Sequence, residues 1–164
     1  MKEKKTTKQI IVEKAIDLFS VKGYSGTSME DIAGAVGIRK ASLYSHHSGK
    51  EEIFTTIFDQ IVEEYMTFLG ELTRDDGSAS AADKLRTIFR EYAHFNRSNV
   101  GMKFWDRFYY FPPEPLKDYI YDKTGRTGEF MEERLRAIFE RGVKEKEFVC
   151  KDIPNTATAF YYLL

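Results

Sequence analysis

The sequence predicts an all-α protein. Only four prolines occur among 164 residues, and long stretches avoid both proline and glycine, the two residues that disfavour a helix most strongly. Apolar residues recur at helical spacing along most of the chain. A single cysteine, Cys150, excludes an internal disulfide, so the fold must depend on apolar packing, to which 42% of the residues contribute.

The first predicted helix is Thr7–Lys22. Its apolar residues follow the i, i+4, i+7, i+8 spacing of a helix that is buried along one face: Ile11, Ala15, Leu18 and Phe19. Gly23 is expected to end this helix, because glycine is common just after a helix C-terminus.

A second, short helix is predicted to follow. Thr27 and Glu30 have the spacing of a capping box, in which each side chain bonds a backbone N–H of the other residue, so the helix is expected to start at Ser28. Gly37 can adopt the left-handed conformation of a tight turn and is expected to end it.

A third helix is predicted over residues 39–46, with Ile38, Ala41 and Leu43 facing inward. Two short helices that are joined through a glycine are typical of a helix-turn-helix. The predicted fold is therefore a three-helix N-terminal helix-turn-helix domain that is followed by an α-helical bundle.

Residues 50–164 are expected to form that bundle, distinct from the small domain 1–49. Its first helix is Lys50–Leu72, the longest unbroken apolar pattern in the chain. After a polar loop, Ser80 and Asp83 have the spacing of a helix cap.

Val100–Tyr110 is a further predicted helix, which a group of three prolines ends. Residues 116–142 form another, with an expected interruption near Gly125 and Gly128. Pro154 lies just inside the start of the last helix. The sequence stops within an apolar pattern, so we expect either further residues or a partner chain to cover this end.

Charge is distributed unevenly along the chain. Residues 1–50 contain nine Lys or Arg against five acidic residues, whereas the whole chain has a net charge of −1. The N-terminal part thus has an excess of four positive charges and the remainder an excess of five negative ones. This asymmetry favours a cationic end that binds a polyanion. The alternative is a lysine-rich tail that is merely solvated.

No motif for an enzyme, a cofactor or a metal occurs in the sequence. It has no Gly-rich phosphate loop, nucleophile elbow, H-E-x-x-H or Cys/His cluster. The neighbours His46 and His47 point about 100° apart on a helix and have no third ligand nearby. The N-terminus lacks the apolar segment of a secretory signal, and no run is long enough to span a bilayer. We expect a cytoplasmic protein without a cofactor, membrane contact or catalytic activity.

Residues 27–52 resemble the DNA-binding module of the TetR family of bacterial repressors; their sequence is TSMEDIAGAVGIRKASLYSHHSGKEE. The matching features are the T-S-M-x-D-I-A start, the G-I turn at Gly37, the L-Y-x-H run that ends at His46, and the K-E-E-I start of the next helix at Lys50. With the first helix and the Gly-Tyr pair after it, the resemblance covers about residues 7–55.

Two residues depart from the family pattern. His47 occupies a position where Phe is usual, and Gly49 one where Ser or Asn is usual. Glycine can still serve at a helix N-cap, and Ser48 with Glu51 has the spacing of another capping box.

A recognition helix must be short enough to lie in the major groove and polar on its outer face. The third helix meets this condition with five residues: Arg39, Lys40, Ser42, Ser45 and His46. The cations Arg39 and Lys40 suit guanine edges or phosphates. A solvated charge pair is the alternative for these two residues.

Four further residues are predicted to contact phosphates. The resemblance implies such contacts for Tyr44 and Lys50, and Lys50 lies at a helix N-terminus, where backbone donors add to its charge. Thr27 and Ser28, at the start of the preceding helix, are similarly placed. Core packing is the alternative for Tyr44, and helix capping alone for Thr27.

The body is rich in aromatic residues between Phe89 and Phe130. These can build a helical core, or they can line a cavity that accepts a flat or lipophilic effector. The resemblance implies a ligand pocket in this region. The predicted lining residues are Trp105, Phe108 and Tyr109, with Tyr92 and Phe95 opposite.

The leading hypothesis is a ligand-responsive repressor that binds a palindromic double-stranded DNA operator as a homodimer and responds to a small lipophilic or aromatic effector. A two-fold dimer places two recognition helices about one helical turn of DNA apart. Binding of the effector is expected to tilt the long helix Lys50–Leu72 and thereby to change this spacing. The other classes are an enzyme and an all-helical protein-interaction module without DNA binding. Intact dimerisation without DNA binding would favour the module.

Overall fold

The computed structural model describes residues 5–164, so the first four residues of the lysine-rich N-terminus lie outside the described part. The described residues form α-helices and one short 3-10 helix, with no strand among them, which confirms the predicted all-α class. The elements are α1 (Thr7–Lys22), α2 (Met29–Val36), α3 (Lys40–Tyr44), α4 (Lys50–Leu72), α5 (Ala81–Ser98), α6 (Val100–Tyr110), the 3-10 helix Glu114–Leu116, α7 (Lys117–Lys144) and α8 (Ile153–Tyr162).

These helices form two compact units. Among the described residues, the first unit comprises residues 5–61 together with Val100–Ile120, and the second comprises Val62–Asn99 and Tyr121–Leu164. The first unit therefore contains α1, α2 and α3 with the beginning of α4 and all of α6. The functional boundary expected between residues 49 and 50 stays a prediction.

An aromatic core holds the first unit together. In this unit α1 packs against α2 and α6, and α2 packs against α3. The rings at the centre are buried and are named the aromatic cluster here: Phe19, Phe54, Phe58, Phe104 and Phe108. The ring centre of Phe54 lies 5.5 Å from that of Phe19 and 4.8 Å from that of Phe108. Such contacts stabilise the unit beyond the burial of apolar area alone.

The second unit has its own core, in which Leu69, Ile88, Met131 and Leu135 are buried. The carboxylate of Glu147 accepts hydrogen bonds from the backbone N–H groups of Ala81 and Ala82, at 2.8 and 3.0 Å. These N–H groups lie in the first turn of α5, where an anion is favoured. The N–H groups of Ala82 and Ala81 hold the pKa of Glu147 below its ordinary value.

Several boundaries follow the prediction. The helices α1, α4 and α6 have the expected bounds, and the side chain of Ser80 accepts from the backbone N–H of Asp83 as predicted. Gly37 has φ 77° and ψ 30°, the left-handed conformation expected at the end of α2.

The predicted interruption near Gly125 and Gly128 is wrong, because α7 runs without a break from Lys117 to Lys144. A glycine inside a helix costs about 1 kcal/mol relative to alanine. The nearby residues Thr124, Thr127 and Met131 are buried, and we attribute the continuity of α7 to the packing of this side.

Candidate nucleic-acid interface

The turn between α1 and α2 begins the site. Gly23 ends α1 with φ 75°, and the hydroxyl of Thr27 donates to the Gly23 carbonyl at 2.8 Å. Thr27 is 1% exposed, so its hydroxyl serves the turn inside the protein. Ser28, the next residue, is exposed and is the first residue of the candidate interface that lies at the protein surface.

Ser28 rather than Thr27 caps α2, so the predicted Thr27–Glu30 box is wrong. The Ser28 hydroxyl accepts from the backbone N–H of Asp31 at 3.1 Å, and the Asp31 carboxylate accepts from the backbone N–H of Ser28 at 2.9 Å. Both boxes share the same spacing in the sequence. The register is one residue later because the Thr27 hydroxyl already bonds to Gly23.

Asp31 also joins α2 to the end of α1. Its carboxylate lies 2.7 Å from the ammonium of Lys22. The hydrogen bonds from Lys22 and Ser28 hold the pKa of Asp31 far below its usual range. Asp31 is therefore ionised at neutral pH and keeps the first turn of α2 fixed next to α1.

The recognition helix α3 is shorter than predicted, at five residues from Lys40 to Tyr44. Arg39 is its N-cap, with φ −71° and ψ 145°, and Ser45 is its C-cap. Leu43 is buried as expected, whereas Ala41 is exposed and its predicted inward orientation is wrong. A single turn of helix leaves only one position directed at the core.

The polar residues predicted for the groove all lie exposed on this short segment: Arg39, Lys40, Ser42, Ser45 and His46. Tyr44 is 48% exposed, which argues against the alternative that it is a core residue. The ammonium of Lys40 lies 3.7 Å from the carboxylate of Glu30, and both side chains are exposed. Such surface pairs contribute about 0–1 kcal/mol, so a phosphate can displace Glu30 readily.

Lys50 is held by the α1–α2 turn. Its ammonium donates to the carbonyl of Tyr24 at 2.8 Å and lies 4.3 Å from the centre of the Tyr24 ring. An ammonium has three donors, so the bond to Tyr24 fixes the position of the charge and leaves donors for an anion. Burial and the nearby charge of Glu51 raise the pKa of the Tyr24 hydroxyl.

The segment between α3 and α4 contains the two departures from the family pattern. His47 is 1% exposed, so it occupies a core position. The predicted Ser48–Glu51 box is wrong, because the backbone N–H and the hydroxyl of Ser48 both donate to Glu52, each at 2.7 Å. These bonds from Ser48 lower the pKa of Glu52.

Arg107 is a residue that sequence reasoning missed. Its guanidinium donates to the carbonyl of Ser20 near the end of α1 at 3.0 Å. A Cβ added at Gly23 would lie 3.0 Å from the same guanidinium. An open cavity of about 520 Å³ is lined here by Tyr24, Phe108 and neighbouring residues. A separation of 87 residues between Arg107 and Ser20 leaves no local signal for this contact.

The predicted effector residues fall into both units. In the first unit, Trp105 stacks on Phe58 with ring centres 5.6 Å apart, Phe108 belongs to the aromatic cluster, and Tyr109 is 41% exposed. In the second unit, the ring centre of Tyr92 lies 6.3 Å from that of Tyr65 in α4, and the ring centre of Phe95 lies 3.8 Å from that of Phe68 in α4. The pocket that would join the five residues stays a prediction.

Within residues 5–164, no group of three or more His, Cys, Asp or Glu side chains is placed to hold a metal ion. In the same part of the chain, no helix is long and apolar enough to cross a membrane.

The helix α1 followed by the two short helices α2 and α3 around a buried core, with α3 exposed and polar, is typical of helix-turn-helix DNA-binding proteins. A family model described as bacterial regulatory proteins, tetR family, matches residues 11–57. A TetR-family transcriptional regulator of known structure, PfmR from Thermus thermophilus, is 30% identical with a TM-score of 0.67, over 98% of this chain and 84% of PfmR. The chain belongs to the TetR family of bacterial regulators, which confirms the resemblance and the expectation of a regulator in place of an enzyme.

Two further relatives are informative. IcaR of Staphylococcus epidermidis, the negative transcriptional regulator of the biofilm operon icaADBC, is 45% identical over 62 residues. That match covers 38% of this chain and 34% of IcaR, so it spans about a third of the length of that relative. AibR in complex with isovaleryl coenzyme A and operator DNA shares the fold, with 23% identity and a TM-score of 0.66 over 96% of this chain and 83% of AibR.

Proposed function

We propose that the protein is a ligand-responsive transcriptional repressor that binds a palindromic operator as a homodimer. The observation that carries the proposal is the exposed polar segment around α3, which the buried side chain of Leu43 anchors in the core. The 45% identity over 62 residues to IcaR, a negative regulator, favours repression over activation. Such a protein acts in the cytoplasm, where the chromosome of a bacterium lies.

The exposed residues divide into two roles. Arg39, Lys40, Ser42, Ser45 and His46 face the major groove, where Arg and Lys suit the acceptors of guanine and Ser can donate or accept. Ser28, Tyr44 and Lys50 contact phosphates on either side, and Thr27 supports them from inside the turn. The bond from Lys50 to Tyr24 fixes the position of the Lys50 ammonium relative to the α1–α2 turn, which supports this role.

Selection of binding sites from a random duplex pool tests DNA recognition. The wild-type protein is expected to enrich a palindromic sequence whose half-sites are about one helical turn apart. Size measurement by sedimentation should give two chains per duplex. A chain that forms a dimer yet enriches no sequence would be the protein-interaction module instead, and the proposal would be rejected.

Two lysine variants separate the proposed roles. Lys50→Ala should weaken binding to every sequence and lower the salt slope of the binding constant by roughly 1, because it removes one phosphate contact. Lys40→Ala should instead change the enriched sequence. Lys151→Ala, an exposed lysine of the second unit, is the matched control. Identical behaviour of the first two variants would refute the division of roles.

The effector proposal has a built-in probe, because Trp105 is the only tryptophan of the chain. It is 8% exposed, so its fluorescence reports a ligand that enters the aromatic region. The structure of AibR with isovaleryl coenzyme A supports a ligand site in this fold. We expect saturable quenching by one of three probes: isovaleryl coenzyme A, decanoate or ethidium. The probe that quenches Trp105 should also cause the protein to dissociate from the enriched duplex. Quenching without dissociation would contradict the role of that probe as an effector.

A further inference from the structure

His47 is a buried base between α3 and α4 that none of the roles above uses. It is 1% exposed. Its Nδ1 lies 3.3 Å from a carboxylate oxygen of Glu52 but is not aligned for a hydrogen bond, and within residues 5–164 its Nε2 has no hydrogen-bond partner. A buried polar atom without a partner costs about 1–3 kcal/mol, so this position is a poor choice for packing alone.

The backbone of His47 is tied to the recognition helix. Its N–H donates to the carbonyl of Leu43 at 3.0 Å, and the N–H of His46 donates to the same carbonyl. Leu43 is the buried residue of α3. A movement of the His47 ring therefore acts directly on the C-terminal end of α3, where the exposed Tyr44 lies.

Three charged or titratable groups act on His47: Glu52 of α4, Lys8 of α1 and the adjacent residue His46. Burial of the ring lowers its pKa below the ordinary value of 6.5, and the nearby carboxylate of Glu52 in α4 opposes this effect. Electrostatic interactions with Lys8 and with His46 lower the pKa of His47 further. The ring is therefore neutral at neutral pH, and it gains a proton only at a lower pH than an ordinary histidine does.

We propose that neutral His47 positions the recognition helix, so that protonation of its buried ring weakens specific binding to DNA. The inference rests on the proposed function. An imidazolium must move toward Glu52 or toward water to be solvated, because a buried charge without a hydrogen bond is costly. Either movement shifts the ring of residue 47 and strains the hydrogen bond from its backbone N–H to the Leu43 carbonyl.

The sign of the effect follows from linkage. Because the pKa of His47 is lower in the folded than in the unfolded chain, the unfolded chain binds more protons below pH 6.5. The conformation in which the neutral His47 ring is buried is therefore fully favoured above that pH, and it loses stability as the pH falls below it. One proton changes the equilibrium by at most about tenfold per pH unit.

The test compares affinities for the enriched duplex and for a scrambled duplex of the same composition between about pH 7.5 and pH 5.5. The ratio removes the general gain in affinity that protonated surface histidines give to any DNA. We expect the wild-type ratio to fall at least threefold and the ratio of His47→Phe to change by less than twofold. His47→Gln, which stays neutral throughout, should also have a flat profile and serves if Phe is too large for the site.

Matched controls are available because the chain contains only three histidines. His46→Gln removes the exposed neighbour, and His94→Gln removes an exposed histidine of α5. Both controls should keep the fall in the ratio. A fall that disappears in His46→Gln, or persists in His47→Phe and His47→Gln, would overturn the inference.

A second measurement needs no DNA. In NMR spectra of the free protein, the His47 ring should titrate below pH 6.5, and the backbone amides of Lys40–Tyr44 should shift with the same midpoint. Amides that stay unchanged while His47 titrates would overturn the positioning role. Absence of sequence-specific binding at pH 7.5 would refute the proposed function, whereas this titration would still decide whether His47 controls α3.

Discussion

Replacement of Phe54 by alanine should destabilise the unit that carries the recognition helix more than any change on its surface. Phe54 is fully buried, and its ring centre lies 5.5 Å from Phe19, 5.3 Å from Tyr24, 5.2 Å from Phe104 and 4.8 Å from Phe108. These rings come from α1, the following turn and α6, so Phe54 of α4 is their common neighbour. Truncation of a buried Phe to Ala costs about 3–5 kcal/mol.

That cost is a large fraction of the roughly 5–15 kcal/mol by which a folded domain is stable. Urea unfolding followed by the fluorescence of Trp105 measures the free energy of unfolding of the first unit, because Trp105 packs on Phe58 of the same aromatic cluster. We expect Phe54→Ala to lower it by at least about 3 kcal/mol. Phe89→Ala is the control, since Phe89 is 50% exposed and such surface changes stay within about 0.5 kcal/mol.

A loss below about 1 kcal/mol for Phe54→Ala would refute the reasoning, because it would mean that the rings around residue 54 do not form the core of this unit. A loss of equal size in Phe89→Ala would show that the assay reports general destabilisation.

Three further changes have defined outcomes. Ser28→Ala should lower thermal stability by about 1 kcal/mol through loss of the α2 cap, and an unchanged melting temperature would contradict that role. Gly37→Ala should cost about 1 kcal/mol in urea unfolding, because an L-residue is strained in the left-handed conformation; a neutral effect would show that the turn rearranges. Glu147→Gln should lower stability at neutral pH. It should also reduce the acid-dependent loss of stability below the ordinary carboxyl pKa of 4.5, because the share that comes from the bonds of Ala81 and Ala82 to Glu147 would be absent. Parallel pH profiles would contradict this assignment.

Elements with strong local signals could be predicted from the sequence. The bounds of α1 follow from its apolar period and from Gly23, and those of α4 from its unbroken pattern after Gly49. The helix caps were harder to predict, because Thr27–Glu30 and Ser28–Asp31 have the same spacing. Which pair caps α2 depends on the hydrogen bond from the Thr27 hydroxyl to the Gly23 carbonyl in the preceding turn.

Contacts between distant segments could not be predicted. Glycine propensity alone argued for a break in α7, whereas the burial of Thr127 and Met131 on one side depends on residues elsewhere in the chain. The exposure of Lys40 follows from its residue type. The bond from Lys50 to Tyr24 and that from Arg107 to Ser20 depend on how helices pack.

His47 shows both limits at once. The sequence identified it as a departure from the family pattern, because a histidine stands where an aromatic hydrocarbon is usual. Neither its burial nor the absence of a hydrogen-bond partner for its ring within residues 5–164 was visible from that comparison. Physical consequences of a substitution in a core depend on its neighbours, and here these include Glu52.

Fluorescence anisotropy with the enriched palindromic duplex and its scrambled counterpart, at about 0.15 M salt, tests the central claim most directly. A regulator that reads sequence through α3 should bind the palindrome at least about 10³-fold more tightly than the scrambled duplex, and Lys40→Ala should reduce that ratio. Equal affinities for the two duplexes, or a ratio that is the same in Lys40→Ala as in the wild type, would contradict the account.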